Sequence, residues 1–122
     1  MIKRSKIFDY VEKKYDVKPD YPFTKHRQYA VLRHSGDGKW FGLVMNIARD
    51  KLGLEGTGEV DILDIKCHPA KVDDLKKKPG FRPAYHMNKE HWLTVVLDGS
   101  TPKKDVFALL DESYDLTAQP SR

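Results

Sequence analysis

The hydrophobic pattern of this chain changes period twice, helical at each end and alternating between, and that order leaves few folds open. In "IKRSKIFDYVEKKYD", Ile7, Phe8, Val11 and Tyr15 recur at helical spacing with charged residues between them. Near the other end Val106, Leu109, Leu110, Ser113 and Tyr114 do the same, after Asp98-Gly99 turns the chain and Ser100 or Thr101 caps a helix ahead of Pro102. The middle reads as strands: "RQYAVLRH" and "KWFGLVMNI" joined by "SGDG", then "VDILDIKC", then "WLTVVL". A short helix interrupts them, opened by His68-Pro69, striped by Val72 and Leu75, and ended by Pro79-Gly80. Helix, three strands, short helix, strand, helix predicts an α+β, two-layer α/β sandwich. Its antiparallel sheet carries the terminal helices on one face and leaves the other open. With 122 residues, a single domain over 1–122 is expected.

Alternation assigns side chains to faces. If Ala30 and Leu32 face the helices, Arg27, Tyr29 and Arg33 face away. In the next strand Phe41, Leu43, Met45 and Ile47 point inward, leaving Trp40 and Asn46 outside. In the last strand Leu93, Val95 and Leu97 point inward, leaving Trp92 and Thr94 outside. Tyr29, Trp40 and Trp92 then share an open face with Arg27 and Arg33. That combination suits stacking of unpaired bases beside phosphate-binding guanidiniums; cross-strand packing or a dimer contact would use the same rings.

Charge supports a polyanion partner weakly. Residues 1–39 carry ten Lys or Arg against five Asp or Glu, while the remainder nets minus one. A solvated basic face explains such a balance as readily as a binding arm does. The single cysteine, Cys67, excludes an intramolecular disulfide, and with the absence of an apolar signal core or a membrane-length stretch it points to a soluble, cytoplasmic protein. In register with Leu63 and Ile65, Cys67 is expected to be buried and inert.

The Gly-rich stretch "RDKLGLEGTGE" matches neither a dinucleotide fingerprint nor a P-loop, so it reads as a loop or distorted hairpin tip. The densest chemistry lies in "PAYHMNKEHWLTVVLD". His86, Lys89, Glu90 and His91 suggest a metal or acid-base site, but the histidines are five apart, whereas a helical zinc pair sits at i and i+4. Adjacent Cys67 and His68 would point to opposite faces of a strand. No metal, cofactor or catalytic residue is therefore expected. The alternative is a structural clasp, His86, Met87, His91 and Trp92, in which His and Lys groups satisfy backbone carbonyls. Trp92 would then sit at a core edge, its loss costing about 3 to 5 kcal/mol.

The stretches "KWFGLV", "IKCHP", "PGFRPAYHMNKEHWLTVVLDG" and "ESYDL" resemble the MmcQ/YjbR family in order and over nearly the whole chain. The resemblance implies a fold like that of bacterial frataxin (CyaY-like) and a role in DNA binding through two wing-like hairpins, with no established reaction. The second wing, Arg49 to Glu59, has a net charge of minus one, so it would not grip phosphate strongly. Iron binding is not expected, since Lys3, Arg4, Lys6, Lys13 and Lys14 outnumber Asp9, Glu12 and Asp16 on the first helix.

The expectation is thus a small non-catalytic domain binding DNA or single-stranded nucleic acid through Arg27, Tyr29, Arg33, Lys39, Trp40, Lys51 and Lys89. The alternative is a protein-interaction or self-association module using the same face. A monomer or weak dimer is expected, without membrane contact.

Overall fold

A computed structural model describes residues 2–118. Three helices, α1 (Arg4–Tyr15), α2 (Pro69–Leu75) and α3 (Lys103–Thr117), accompany five strands: β1 (Ala30–Arg33), β2 (Trp40–Ala48), β3 (Glu59–Lys66), β4 (Phe81–Pro83) and β5 (Trp92–Val96). The sheet is antiparallel with order β1-β2-β3-β5-β4. β4 was not expected; it is three residues long, ends in Pro83, and occupies an edge, where proline is tolerated. No helix among the described residues is long and apolar enough to cross a membrane.

The terminal helices pack together on one face, as the two apolar stripes require. Ile7 and Val11 of α1 and Val106, Leu109 and Leu110 of α3 share a core with Leu32, Val44, Leu63, Ile65, Leu93 and Val95 of the sheet. Between the helices, Tyr10 stacks on Phe107 at 4.1 Å and Tyr15 on Tyr114 at 3.7 Å. Asp111 accepts hydrogen bonds from Tyr10, Tyr15 and Lys14 at 2.7, 2.5 and 2.8 Å. At the start of α1, which has no side-chain cap, Arg4 forks onto Asp61 of β3 at 3.0 and 2.8 Å and fixes the helix to the sheet.

Helix α2 opens with Pro69 in its first turn, as read from the sequence. The opening of α3 differs: Pro102 is the cap residue without a side-chain cap bond, and Thr101 is buried with its hydroxyl unpaired among the described residues. Thr101 Oγ1 lies 2.6 Å from where a Cβ on Gly80 would stand, and Gly80 has φ +90°, so only glycine fits opposite it. The stretch Arg49–Leu52 forms a 3-10 turn closed by Gly53 at φ 70°.

The α+β sandwich with its terminal helices on one face is as expected, but the other sheet face is covered, which corrects the expectation that it would be open. The β1–β2 register runs Leu32 opposite Gly42 and then Arg33 opposite Trp40, so Phe41 is an extra, bulged residue. One inserted residue reverses the parity of everything beyond it. Phe41 therefore faces the helices together with Val44, whereas Leu43, Met45 and Ile47 face the opposite side. There they build a second apolar cluster with Val31, Leu52, Val60, Ile62 and Val96. Phe23, Tyr29, Trp40, Leu54, Tyr85 and Met87 cover it. Tyr21, 51% exposed, is the large hydrophobic residue that stands out among the described residues.

Candidate nucleic-acid interface

Apart from Trp40, which opens β2, the covers of the second cluster come from three distant stretches: the segment before β1, the chain at and just after the 3-10 turn, and the loop 84–91 ahead of β5. Each is polar on its outer side, and together they form two adjoining hollows of about 340 and 330 Å³ that share Lys51 and Tyr85. Lys25, His26 and Arg27 line the first; Arg82, His86 and Lys89 line the second. Glu59 is the carboxylate in this lining, and it accepts the Asn46 amide at 3.0 Å. The result is a basic trough that crosses the second face.

Of the residues expected to bind nucleic acid, the fold brings Arg27, Tyr29, Lys51 and Lys89 to this trough and adds His86. Arg27 lies in a turn outside β1, which spans only Ala30–Arg33. Arg33, Lys39 and Trp40 lie elsewhere. Arg33 donates to Asp20 at 2.9 Å and its guanidinium covers the Trp40 ring at 5.4 Å. Trp40 also meets Phe23 edge-on at 6.1 Å, so the ring expected to stack bases is occupied. Lys39 is exposed in the β1–β2 turn, its N–H held by Asp37 at 3.0 Å.

The sequence reading missed Lys25, His26 and Arg82 as trough residues. The run "KHR" is a visible basic signal, but only its Arg27 falls within the stretch read as a strand, and Lys25 and His26 before it carry no periodicity that would place them. Arg82 belongs to the unexpected β4, and donates to the carbonyls of Leu52 and Phe81 at 2.9 and 2.7 Å, tying the 3-10 turn to the sheet edge. Aromatic faces in the trough are mostly taken: Tyr29 stacks on His26 at 4.4 Å and Tyr85 meets His86 at 4.2 Å.

The loop 84–91 is a clasp, but the histidines do not fasten it. His86 and His91 are exposed, and neither ring has a hydrogen-bond partner among the described residues. His86 adopts φ 63°, an uncommon conformation for a residue with a Cβ. Asn88 does the fastening: its Oδ1 accepts the N–H groups of Glu90 and His91 at 2.9 and 3.0 Å, and its carbonyl accepts that of Trp92 at 3.0 Å. The Tyr85 N–H donates to Thr94 Oγ1 at 2.9 Å, and the Thr94 hydroxyl donates to Asp64 Oδ1 at 2.5 Å. Met87 packs on the second cluster, while Trp92 is half-buried opposite Lys66 and joins neither cluster.

Cys67 is buried, and burial pushes its thiol up to about 11, so it is a poor nucleophile. His68 beside it is exposed. Among the described residues no three His, Cys, Asp or Glu side chains converge as a metal cage.

Comparison with known proteins gives this geometry its relatives. The YjbR family model matches residues 12–116. An uncharacterized protein, YyaQ of Bacillus subtilis (strain 168), is 45% identical over 117 residues, covering 96% of this chain and 99% of that protein. Uncharacterized protein YjbR of Escherichia coli (strain K12) is 40% identical over 53 residues, 43% of this chain and 45% of that one. A crystal structure from Pseudomonas syringae superposes with a TM-score of 0.93 at 48% identity, covering 96% of this chain and all of that one.

Proposed function

We propose for this chain, which belongs to the YjbR family, a non-catalytic role in binding nucleic acid, with double-stranded DNA as the preferred form. The observation that carries the reading is the trough itself: Lys25, Arg27, Lys51, Arg82 and Lys89 converge from four separate stretches around one carboxylate, Glu59. A solvated surface has no need to gather like charges across a fold; a phosphate backbone rewards it through counterion release. Because Trp40 lies under Arg33 and Tyr29 against His26, stacking contributes little and phosphate contacts dominate. The self-association alternative has less support, since the apolar face it requires is covered by loops.

The frataxin-like relation and a cytoplasmic location belong to the same proposal. A lone, buried thiol is at home in a reducing compartment.

Fluorescence anisotropy of a short labelled DNA duplex, titrated with protein over a range of salt concentrations, tests the reading. A salt slope of about 2 to 4 is expected, from about 0.9 per phosphate neutralised. Absence of any anisotropy change at low salt, with a sedimenting dimer, would instead favour self-association.

A further inference from the structure

Beneath the trough lies a buried acid that phosphate binding does not require. Asp64 sits in the cross-strand row Leu43, Asp64, Thr94, Arg82 at the middle of the second face, fully buried. Its Oδ1 accepts the Thr94 hydroxyl, and Thr94 Oγ1 holds the backbone of Tyr85, the residue that opens the clasp. Its Oδ2 is buried without a partner among the described residues. An ionised carboxylate with one unpaired oxygen in an apolar setting is costly, and the neutral acid is far cheaper. Burial pushes the Asp64 carboxyl up to about 7, with the Thr94 hydrogen bond and the charge of Lys89 pulling the other way.

The charged surroundings of Asp64 come from every element against it. On β3, Lys66 is two residues along on the same face. β2 carries no charge and presents Leu43 opposite; β5 presents Thr94. On β4, Arg82 is spent on two backbone carbonyls. Lys51 lies across the trough on the 3-10 turn, and the overlying loop brings Tyr85, His86, Lys89 and Glu90. Among these it is Lys89 whose charge acts on Asp64, and Lys89 also lines the trough.

We propose that Asp64 is a proton-operated latch on the loop 84–91, one that sets how many cations the trough offers. The inference rests on the nucleic-acid reading above. With Asp64 neutral, the loop is seated through Tyr85 and Thr94, and Lys89 faces the trough. With Asp64 ionised, the bare Oδ2 draws the Lys89 ammonium inward, the loop shifts, and the trough loses one phosphate contact. Grip on a polyanion therefore weakens as pH rises through neutrality.

Two arms separate the latch from the binding reading. Without nucleic acid, NMR follows the Asp64 side-chain carboxyl carbon and the Tyr85 and Lys89 amides from about pH 5 to about pH 8.5. In the parent protein all three are expected to move together near neutrality. In Asp64→Asn the two amides lose that step. Should Asp64→Asn fail to fold, Lys89→Gln serves instead and must raise the Asp64 midpoint. An Asp64 carboxyl that titrates below about pH 5, or amide steps unchanged in Asp64→Asn, overturns the latch.

In the second arm a short labelled DNA duplex is bound at about 0.1 M salt. From about pH 6 to about pH 8 the parent should lose roughly five- to tenfold more affinity than Asp64→Asn, with its salt slope falling by about 0.9. Equal losses in the two proteins overturn the coupling. A carboxyl that titrates as expected in a protein that binds no duplex at any pH sustains the latch as a loop device and defeats the nucleic-acid reading.

Discussion

The Ser113 hydroxyl donates to the Phe41 carbonyl at 2.6 Å, so a side chain of α3 repairs the sheet where β2 bulges. The same oxygen accepts the Lys66 N–H at 2.9 Å. Both backbone groups are beside the bulge, and without Ser113 both would lose this partner, the carbonyl in a buried setting and the N–H in a partly buried one. Ser113→Ala is therefore expected to cost about 1 to 3 kcal/mol, well beyond the loss of one exposed hydrogen bond. Urea denaturation should show a lower midpoint at unchanged slope.

That pairing also explains what the sequence could and could not disclose. The helices were legible because their stripes have one period and one consequence, and Val106, Leu109, Leu110 and Ser113 are buried as that period requires. β2 was not, because "WFGLVMNIA" is apolar on both parities; alternation cannot locate a bulge when every residue suits either face. Once Phe41 is inserted, Leu43, Met45 and Ile47 change sides, and a face read as open needs the covers that loops 20–29 and 84–91 supply. The trough depends on those covers, so Arg27, Lys51 and Lys89 could be named from their charge but not placed together. β4 was invisible for a different reason: three residues ending in proline carry no period at all.

Stability should fall, not rise, as pH increases through mild acidity. Unfolded, Asp64 ionises near 3.8; folded, near about 7, so the native state holds an extra proton between these values. Its contribution is complete below about pH 4 and is lost as pH approaches about 7, by up to about 1.4 kcal/mol per pH unit. Asp111 works in the opposite sense. Burial raises its pKa, but hydrogen bonds from Lys14, Tyr15 and Tyr10 outweigh that and hold it low, so its contribution disappears only in stronger acid. Urea midpoints of the parent are expected to decline from about pH 5 to about pH 7, with Asp64→Asn nearly flat over that range. A parent curve as flat as that of Asp64→Asn would contradict the burial of a neutral acid.

Trp92 matters less to stability than its size suggests. It is half-buried at the start of β5 and belongs to neither cluster, whereas Leu93 beside it is fully buried among the helices. Trp92→Ala is expected to cost about 1 to 2 kcal/mol, below the 3 to 5 anticipated for a core-edge aromatic. Leu93→Ala should cost about 2 to 5 kcal/mol. Thermal and urea unfolding of the two variants should show that order, and the reverse order would place Trp92 in the core after all.

The binding reading makes its sharpest demand on residues that charge alone does not distinguish. Lys39 and Lys51 are both exposed lysines flanking β2, but only Lys51 lies in the trough, where the two hollows meet. Lys51→Ala and Arg27→Ala should each lower the salt slope for a DNA duplex by about one phosphate and weaken binding without sequence preference. Lys39→Ala should leave the slope unchanged, its contribution screened over a Debye length of about 10 Å at 0.1 M salt. Arg33→Ala should act on stability, because its guanidinium is held between Asp20 and the Trp40 ring. Trp40→Ala should not discriminate single strands from duplex, since that ring is already covered. If instead Lys39 and Arg33 carry the salt dependence and Lys51 does not, nucleic acid meets the β1–β2 hairpin rather than the trough, and the assignment made from its geometry is wrong.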